Sequence, residues 1–358
     1  MGRQIFSRQL PLIFVTALLG TLAIPAWAQT PKDLAKHFEK NPVTIIVGSA
    51  PGGGYDTFAR MVARFAGKYL PGNPKFIVQN IPGAGQLRGL RATMKSRPDG
   101  LTIGLLHPRF VQRSLAGMKV PDFDLKTVRV LGSPSAIKVP RIWCARRSVA
   151  SSWEEVKKVG RPLTNGANAP GAAFGLGPQF VQAMGGPIKM VYGYDGTSEV
   201  MAGFNRGELD SVDRCTEENV PRLYPEWITK KLVAPIFWWE KEPSTDWLGR
   251  LGATKIPHIL ETVNVSDDQR KAFEVAVSFN VFNRIFVTPP RVPDNVYEAW
   301  RSAFEATTRD QGFLAAAKTA GLDVGLGTAE DFKQTVDSYE KLTPAGTKIL
   351  RELIGKVT

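Results

Sequence analysis

The stretch VTIIVGSAPGGGYDTFARMVARF, residues 43–65, decides the fold class of this chain. Its β-branched apolar run at 43–47 is typical of a buried parallel strand. Three consecutive glycines follow, and apolar residues then recur at intervals of three and four from Phe58 to Phe65, as on one face of a helix. A strand, a glycine-rich turn and an amphipathic helix in direct succession indicate an α/β protein.

The same alternation continues through two cycles. Strand-like runs at 75–79 and 101–106 flank a helix-compatible segment at 84–96, so the first cycle predicts a βαβαβ unit with a parallel sheet. The strand-like runs of the second cycle are residues 128–132, 141–145, 188–194 and 209–213. The two units join near residues 130–135. The last third is more helical, with a capping box predicted at Ser266 and Gln269, a strand at 283–290 and a helix from Asp294 to about Arg309.

The N-terminus has the pattern of a secretory leader. Arg3 and Arg8 precede or flank a mostly apolar run, and AWA at residues 26–28 is a small-x-small cleavage site. The apolar run is interrupted by prolines and is shorter than the roughly 20 residues that span a bilayer. We predict a signal peptide at residues 1–28, cleaved after Ala28, and export of the mature chain.

Composition excludes some classes of function. The chain of 358 residues has a formal net charge of +13, which suits anionic partners. Its basic residues are dispersed without an arginine-rich tail, which argues against nucleic acid. Its three histidines have no metal-ligand spacing, so we expect no metal and no cofactor. Cys144 and Cys215 can form one disulfide in an oxidising compartment or remain two buried thiols.

Glycine-rich turns follow the predicted strands of the first unit, where a parallel sheet presents its carboxyl ends to ligands. Residues 48–56 and 80–86 both open a helix. Glycine lets the main chain approach a ligand closely, and free N–H groups at a helix start favour anions. GAGQLRG at 83–89 misses the dinucleotide fingerprint by one residue, and neither a Walker motif nor GxSxG is present. We therefore expect a site that receives negative charge.

Several motifs stand in order along the chain. The motifs of the first unit are GSAPGGGYDTFAR (48–60), VQNIPGAGQLRG (78–89) and PDGLTI (98–103). The later motifs are NGANAPGAAFGLGPQF (165–180), YDG (194–196), GELD (207–210) and TPPRVPDNVYEAW (288–300). In this order the motifs resemble those of one family, the periplasmic solute-binding proteins of tripartite tricarboxylate transporters, also called the Bug or TctC-like family. The similarity covers most of residues 42–345.

The resemblance implies a two-lobed periplasmic-binding-protein (Venus flytrap) fold that closes on an organic anion. Each lobe is then a mainly parallel sheet flanked by helices, with lobe I formed by residues 41–131 plus 245–358 and lobe II by residues 132–244. The implied partners are a small organic anion, a carboxylate, and the large and small transmembrane subunits of a permease. A monomer in the periplasm is expected.

Carried over onto this sequence, the family motifs imply contacts to a carboxylate from both lobes, with main-chain N–H groups and waters from the two turns of lobe I. In lobe I these positions are Pro51, Gly52, Gly53, Gly54, Tyr55 and Asp56 in the first turn, and Pro82, Gly83, Ala84 and Gly85 in the second. In lobe II they are Asn168, Gly171, Ala172 and Ala173, followed by Tyr194, Asp195 and Gly196.

The chain departs from the family pattern at three places. The family often has lysine where Asp195 stands, and a further glycine where Gln86 stands. HPRF at 107–110 is unusual at the end of the third strand. Arg109 is a candidate replacement for the missing cation, because a guanidinium grips a carboxylate with two parallel hydrogen bonds. Arg214, at the end of another predicted strand, is a second candidate.

Two other functions remain open from the sequence. An exported α/β enzyme acting on an anionic substrate would use Asp56, Asp195 or His107, although none has an identifiable partner. A sensory module would dock its occupied form on a membrane receptor. Asp56 can instead stabilise the start of its helix, and we expect Trp238 and Trp239 to pack in a strand.

Overall fold

The computed structural model describes residues 31–167, 175–194, 197–217 and 219–354, and its strands form two sheets. The strands are β1 Val43–Val47, β2 Phe76–Asn80, β3 Thr102–Leu106, β4 Arg129–Ser133, β5 Arg141–Arg146, β6 Leu163–Ala167, β7 Ile188–Tyr192, β8 Ser211–Val212, β9 Val233–Trp239, β10 Ile285–Thr288 and β11 Gly327–Thr328. The first sheet has six strands in the order β11-β4-β10-β3-β1-β2, and the second has five in the order β7-β6-β8-β5-β9.

Helices flank both sheets. They are α1 Pro31–Lys40, α2 Gly54–Phe65, α3 Leu87–Met94, α4 Pro108–Leu115, α5 Trp153–Lys158, α6 Leu176–Ala183, α7 Thr197–Arg206, α8 Asn219–Leu223, α9 Glu226–Thr229, α10 Thr245–Arg250, α11 Ile259–Thr262, α12 Asp267–Val281, α13 Asp294–Arg309, α14 Gln311–Thr319, α15 Ala329–Glu340 and α16 Pro344–Ile354. The predicted α13 is confirmed at both ends, and the predicted capping box of Ser266 and Gln269 begins α12. No helix in the described ranges is long and apolar enough to span a bilayer.

The first sheet confirms the predicted parallel unit. Strand β1 is central and pairs in parallel with β2 and β3, with Ile45 opposite both Val78 and Ile103. Strand β10 is antiparallel and lies between β3 and β4, with Ile285 opposite Leu106. The beginning of β10 therefore lies at the carboxyl edge of β1, β2 and β3, so a segment from the last third of the chain joins the loops of the first unit.

Both sheets are mixed, with antiparallel pairs beside the parallel ones, whereas the sequence analysis expects each sheet to be mainly parallel. Strand β6 pairs in parallel with β7 and β8, while β5 is antiparallel to β8 and β9. The sequence analysis does not predict β6, because its polar residues hide the strand pattern: Asn165 is fully buried and accepts a hydrogen bond of 2.9 Å from the indole of Trp143. The expectation that Trp238 and Trp239 pack in a strand is confirmed, since both belong to β9.

The largest hydrophobic cluster runs across both sheets. Helices α12 and α16 pack against α4, which follows strand β3 of the first sheet. Helix α16 and Phe273 of α12 also contact α6, which flanks the second sheet. The rings of Phe180 and Phe273 stack with centroids 4.3 Å apart, and the Gln179 amide donates a hydrogen bond of 2.7 Å to the Leu353 carbonyl. The C-terminal helices therefore hold the two sheets together on one side of the molecule.

Cys144 and Cys215 form a disulfide, which answers the question that the sequence leaves open. Cys144 lies in β5, and Cys215 lies three residues after the end of β8. Both are fully buried in an apolar cluster with Trp247, whose indole donates a hydrogen bond of 3.0 Å to the Cys215 carbonyl. The bridge therefore fixes the segment that follows β8 onto its sheet.

Candidate functional site

Four segments meet at the carboxyl edge of the first sheet. The turn after β1 leads into α2, the turn after β2 leads into α3, and β3 leads directly into α4. The fourth segment is the pair of residues that precedes β10, brought there by the pairing of β10 with β3. The glycine-rich turns of the sequence analysis are thus neighbours, as expected for consecutive parallel strands.

The first turn presents main-chain donors at the start of α2. The N–H groups of Gly54 and Tyr55 donate to no acceptor in the described part of the chain, as expected for the first turn of a helix. The N–H of Gly52 is different, because it donates a hydrogen bond of 2.8 Å to the Asp56 carboxylate. Only part of this turn therefore has donors available to a ligand.

Asp56 is buried and holds the first turn in place. Besides Gly52, its carboxylate accepts hydrogen bonds of 2.9 Å from the Nε of Arg60 and from the side-chain amide of Asn80. The same Asn80 amide donates to the Ser49 carbonyl at 3.0 Å. Burial acts to raise the pKa of Asp56, but the hydrogen bonds outweigh it and the pKa lies below its ordinary value. Asp56 therefore joins the turn after β1 to the end of β2.

The second turn is a run of left-handed residues. Gly83, Ala84, Gly85 and Gln86 have φ of 126°, 48°, 57° and 76°. The Gln86 N–H donates to the Gly83 carbonyl at 3.1 Å, whereas the N–H groups of Ala84 and Gly85 donate to no acceptor among the described residues. Gln86 stands where the family often has glycine, and its left-handed backbone explains that preference.

Arg109 lies against the second turn at the start of α4. Its backbone N–H and its Nε both donate to Nδ1 of His107, at 3.1 Å and 3.4 Å. A Cβ built on Gly85 would lie 3.1 Å from Nη1 of Arg109. The guanidinium is thus folded back over its own helix start and faces the main chain of the Gly85 turn.

His107 is neutral at physiological pH. Burial, with the positive charges of Arg109 and Arg284, lowers its pKa well below the usual value. Because Nδ1 accepts from Arg109, the proton of the neutral imidazole is on Nε2. The ring stacks on Tyr55 with centroids 5.7 Å apart. His107 therefore supports Arg109, and adds no charge to the site.

Tyr55 anchors this group to the segment before β10. Its hydroxyl donates a hydrogen bond of 2.6 Å to the Asn283 carbonyl. Burial raises the pKa of Tyr55 above its ordinary value, so the phenol is neutral. The predicted ligand position at Tyr55 is therefore a half-buried ring whose polar end already has a protein partner.

Arg284 is a site residue that sequence reasoning missed. It precedes β10, and its Nε donates to the Gly54 carbonyl at 3.3 Å and its Nη1 to the Ser135 hydroxyl at 3.2 Å. Its guanidinium lies 4.5 Å from the ring centroid of Phe58, and a Cβ built on Gly54 would lie 2.7 Å from Nη2. The strand itself is predicted, but no local signal shows that it pairs with β3 and brings Arg284 to the first turn.

The described part of lobe II shows two of the predicted positions. Tyr194 is half-buried, its ring packs beside Gly166 and Gly203, and its N–H donates to the Ala167 carbonyl at 3.4 Å. Arg214 lies between the end of β8 and the disulfide. The other predicted positions lie outside the described residues: Asn168, Gly171, Ala172, Ala173, Asp195 and Gly196.

Asp213 is the second residue that the sequence analysis did not select. It follows β8, is completely buried, and its Oδ2 accepts a hydrogen bond from the Gly175 N–H, at the start of α6. Its Oδ1 has no hydrogen-bond partner among the described residues. Burial raises the pKa of Asp213 to about 6, although the Gly175 N–H and Arg141 act in the opposite direction. In the sequence, the only indication of this role is that an aspartate ends the strand-like run 209–213.

A surface groove elsewhere has a different electrostatic character. It lies between β4, α13 and α15, with a volume of about 610 Å³. Its arginines have acidic partners, Arg129 with Asp294 at 2.6 Å and Arg301 with Glu298 at 2.8 Å. At the glycine turns, by contrast, the charged and ionisable neighbours of Arg109 in the described ranges are Tyr55, His107 and Arg113. The lack of an acidic partner for Arg109 among these residues distinguishes the glycine-turn site from the groove.

Sequence comparison finds relatives among UPF0065 and Bug proteins. No family model matches the chain. A UPF0065 protein of Agrobacterium vitis is 29% identical over 222 residues, which are 60% of this chain and 61% of that protein. The protein BugT of Bordetella pertussis is 36% identical over 97 residues, 27% of each chain. The chain thus aligns with about three fifths of the first relative and about a quarter of the second.

Structural comparison finds periplasmic solute-binding proteins. BugD superimposes with a TM-score of 0.57 at 21% identity, covering 88% of this chain and 98% of BugD. A TctC solute-binding protein from Polaromonas has a TM-score of 0.58 at 15% identity, covering 87% of this chain and 99% of its own. These neighbours confirm the two-lobed α/β fold, and with the sequence relatives they confirm the resemblance to the Bug/TctC-like family.

Proposed function

From its match to the Bug/TctC-like solute-binding proteins, we propose that this chain captures a small organic carboxylate between its two lobes. It then delivers the solute to a tripartite tricarboxylate-type membrane transporter with one large and one small transmembrane subunit. The protein acts in the periplasm as a monomer, after cleavage of residues 1–28. Its lobes are residues 41–131 plus 245–358, and residues 132–244.

The observation that carries this proposal is the pair of glycine turns at one edge of the first sheet. Each turn has main-chain N–H groups without an acceptor among the residues that the structure describes, at Gly54 and Tyr55 and at Ala84 and Gly85. Free N–H groups at helix starts attract anions. A guanidinium lies beside each turn, so main-chain and side-chain donors converge where a carboxylate would bind.

Two structural neighbours suggest the kind of solute. MatC of Rhodopseudomonas palustris, with a TM-score of 0.57, holds malate, and another protein of the same organism, with a TM-score of 0.52, holds adipate. Both ligands are small organic acids. The second lobe would complete the site with its glycine-rich segment 168–173 and with residues 194–196, and closure would exclude water and strengthen the charge contacts.

The structure favours binding over an enzymatic role. The structural neighbours are solute-binding proteins. Of the residues that an enzyme would use, His107 has its acceptor nitrogen Nδ1 occupied by two N–H groups of Arg109, while Asp56 is held by three hydrogen-bond donors. Within the described ranges, neither accepts a hydrogen bond from a hydroxyl or thiol that it could activate as a nucleophile.

A thermal-shift screen of the mature protein against a library of mono-, di- and tricarboxylates tests the proposal. A solute at 100 times its dissociation constant should stabilise the folded protein by about 2.7 kcal/mol, which is visible as a raised melting temperature. Neutral amides of the same acids serve as controls. If no acid raises the melting temperature, or if the amides do so equally, capture of carboxylates is contradicted.

A further inference from the structure

Strand β2 forms an open edge of the first sheet. In the described part of the chain it pairs with β1 alone and is the last strand of its sheet. Strand β1 donates a hydrogen bond to the Lys75 carbonyl and accepts one from the Ile81 N–H, each 2.8 Å long. Main-chain groups of successive residues in a strand point to opposite sides, so the N–H and C=O groups of Phe76 and Val78 point away from β1. The outer edge of β2 therefore offers donors and acceptors to a further strand.

The two faces of the sheet differ at this edge. Phe76 and Val78 lie on the face that α2 covers and pack against the apolar cluster of that side. Ile77 lies on the opposite face and is 52% exposed, more than any other large apolar side chain in the described ranges. Helix α3 covers that face but packs mainly against β1 and β3. An apolar side chain of an added strand would therefore find Ile77 as a cross-strand neighbour.

The part of the chain that contains β2 carries most of the positive charge. Residues 41–131, called the basic unit here, have 13 lysines and arginines against four aspartates and no glutamate, a net charge of +9. Residues 132–358 have 28 lysines and arginines against 27 acidic residues, a net charge of +1. A long-range field of this kind attracts anionic partners to one region of a protein. The basic unit is therefore where an acidic partner would bind.

Cations lie along the edge of β2 itself. Lys75 immediately precedes the strand and is exposed. Arg60 of α2 is 53% exposed, and while its Nε pairs with Asp56, its Nη2 donates to Oδ1 of Asn80 at the end of β2, at 3.3 Å. Arg64, also exposed, follows Arg60 by one turn on the same side of α2. Acidic side chains of an added strand would meet these arginines on the α2 face.

We propose that the outer edge of β2 is a docking surface for an extended acidic segment of a partner protein, which adds a strand to the first sheet. The segment alternates apolar residues beside Ile77 with acidic residues beside Arg60 and Arg64. A second copy of this chain does not fit, because pairing two β2 edges would bring like charges together. An anionic membrane matches the charge but supplies no main-chain groups to the edge. This docking does not depend on capture of a solute.

The probe is a fluorescently labelled heptapeptide in which four glutamates alternate with three valines, and anisotropy measures its binding to the mature wild-type protein. A control peptide has the same composition, with the three valines in one block. The alternating peptide should bind roughly tenfold more tightly, because only its side chains suit both faces of the edge. Its affinity should fall as the salt rises from about 0.02 M to about 0.15 M. Equal affinities of the two peptides overturn the inference, as does binding to phosphatidylglycerol vesicles without binding of the peptide.

Variants then assign the binding to β2. Val78→Pro removes an outward N–H but no hydrogen bond to β1, and should weaken binding of the alternating peptide roughly three- to tenfold. Val78→Ala is the matched control, because it keeps this N–H, and should bind like the wild type. Unchanged affinity in Val78→Pro overturns the inference.

A charge variant tests the same edge even if Val78→Pro does not fold. Lys75→Glu reverses an exposed cation beside β2 and should weaken binding of the alternating peptide roughly threefold. Lys318→Glu makes the same change of net charge at an exposed position outside the basic unit, and should bind like the wild type. Equal affinities of these two variants overturn the inference.

Discussion

At Gln86 the backbone adopts a left-handed conformation that most side chains avoid, with φ of 76° and ψ of 0°. This conformation costs a residue with a Cβ roughly 1–2 kcal/mol, whereas glycine adopts it freely. The side-chain Oε1 of Gln86 is also buried without a partner among the described residues. Position 86 therefore stores strain directly beside the proposed anion site.

Gln86→Gly should raise the free energy of unfolding by about 0.5–1 kcal/mol, because relief of strain exceeds the extra entropy of glycine in the unfolded chain. Urea unfolding monitored by circular dichroism measures the change. Arg88→Gly is the control in the neighbouring helix α3, where glycine has no conformational advantage and should cost about 1 kcal/mol. A loss of stability in Gln86→Gly would show that position 86 is not strained.

Because of Asp213, the stability of the folded protein should decrease as the pH rises. Its pKa in the folded protein is about 6, above the ordinary 3.8 of the unfolded chain, so the folded state binds more protons between these values. Its contribution to stability is therefore complete at low pH and is lost as the pH rises from about 4 to about 6. Above that window the buried carboxylate destabilises the folded state.

Asp213→Asn keeps an acceptor for the Gly175 N–H and cannot ionise. The variant should gain stability relative to the wild type as the pH rises, by on the order of 2 kcal/mol between pH 4 and pH 7. Urea unfolding of both proteins at several pH values measures the difference between their free energies of unfolding. The other titrating groups contribute equally to both proteins and therefore do not affect this difference. A difference that stays constant over this range would contradict a raised pKa.

At the scale of elements, a buried ion pair fixes the beginning of β5 to the end of β9. The Nε of Arg141 lies 3.1 Å from Glu240, and the side chains are 7% and 0% exposed. Glu240 also accepts a hydrogen bond of 3.3 Å from the Val139 N–H. The segment that connects β4 of the first sheet to β5 of the second is therefore bonded to the end of β9, the edge strand of the second sheet.

Glu240→Gln should cost about 3–5 kcal/mol of unfolding free energy, because it removes the carboxylate that is hydrogen-bonded to the buried Arg141 charge. Glu298→Gln is the control, since its pair with Arg301 is exposed and its loss should cost less than about 1 kcal/mol. Chemical denaturation at pH 7 measures both. Equal losses in the two variants would show that burial of the pair does not determine its contribution.

Elements with a strong local pattern could be predicted from the sequence. The bounds of β1 follow from its β-branched run, and those of α13 follow from proline before it and apolar residues at helical spacing. Arg284 could not be predicted, because its position depends on β10 pairing with β3, a contact between residues far apart in the sequence. The same applies to β6, whose buried Asn165 is satisfied by a side chain from another strand.

At the scale of the whole molecule, the two sheets are joined on one side by the C-terminal helices α12 and α16. The glycine turns lie at the carboxyl edge of the first sheet, and Asp213 and Arg214 lie after β8 of the second. A solute would be enclosed if the loops at the edge of one sheet closed over the loops of the other. The fold determines where these loops lie, whereas Arg109 and Arg284 give the candidate site its positive charge.

A crystal structure of the mature protein with the best carboxylate of the screen tests the central claim most directly. We expect a carboxylate of the solute within about 2.7–3.2 Å of a main-chain nitrogen in each glycine turn, Gly54 or Tyr55 in the first and Ala84 or Gly85 in the second. A solute lodged elsewhere, with both glycine turns free of contacts to it, would contradict the account.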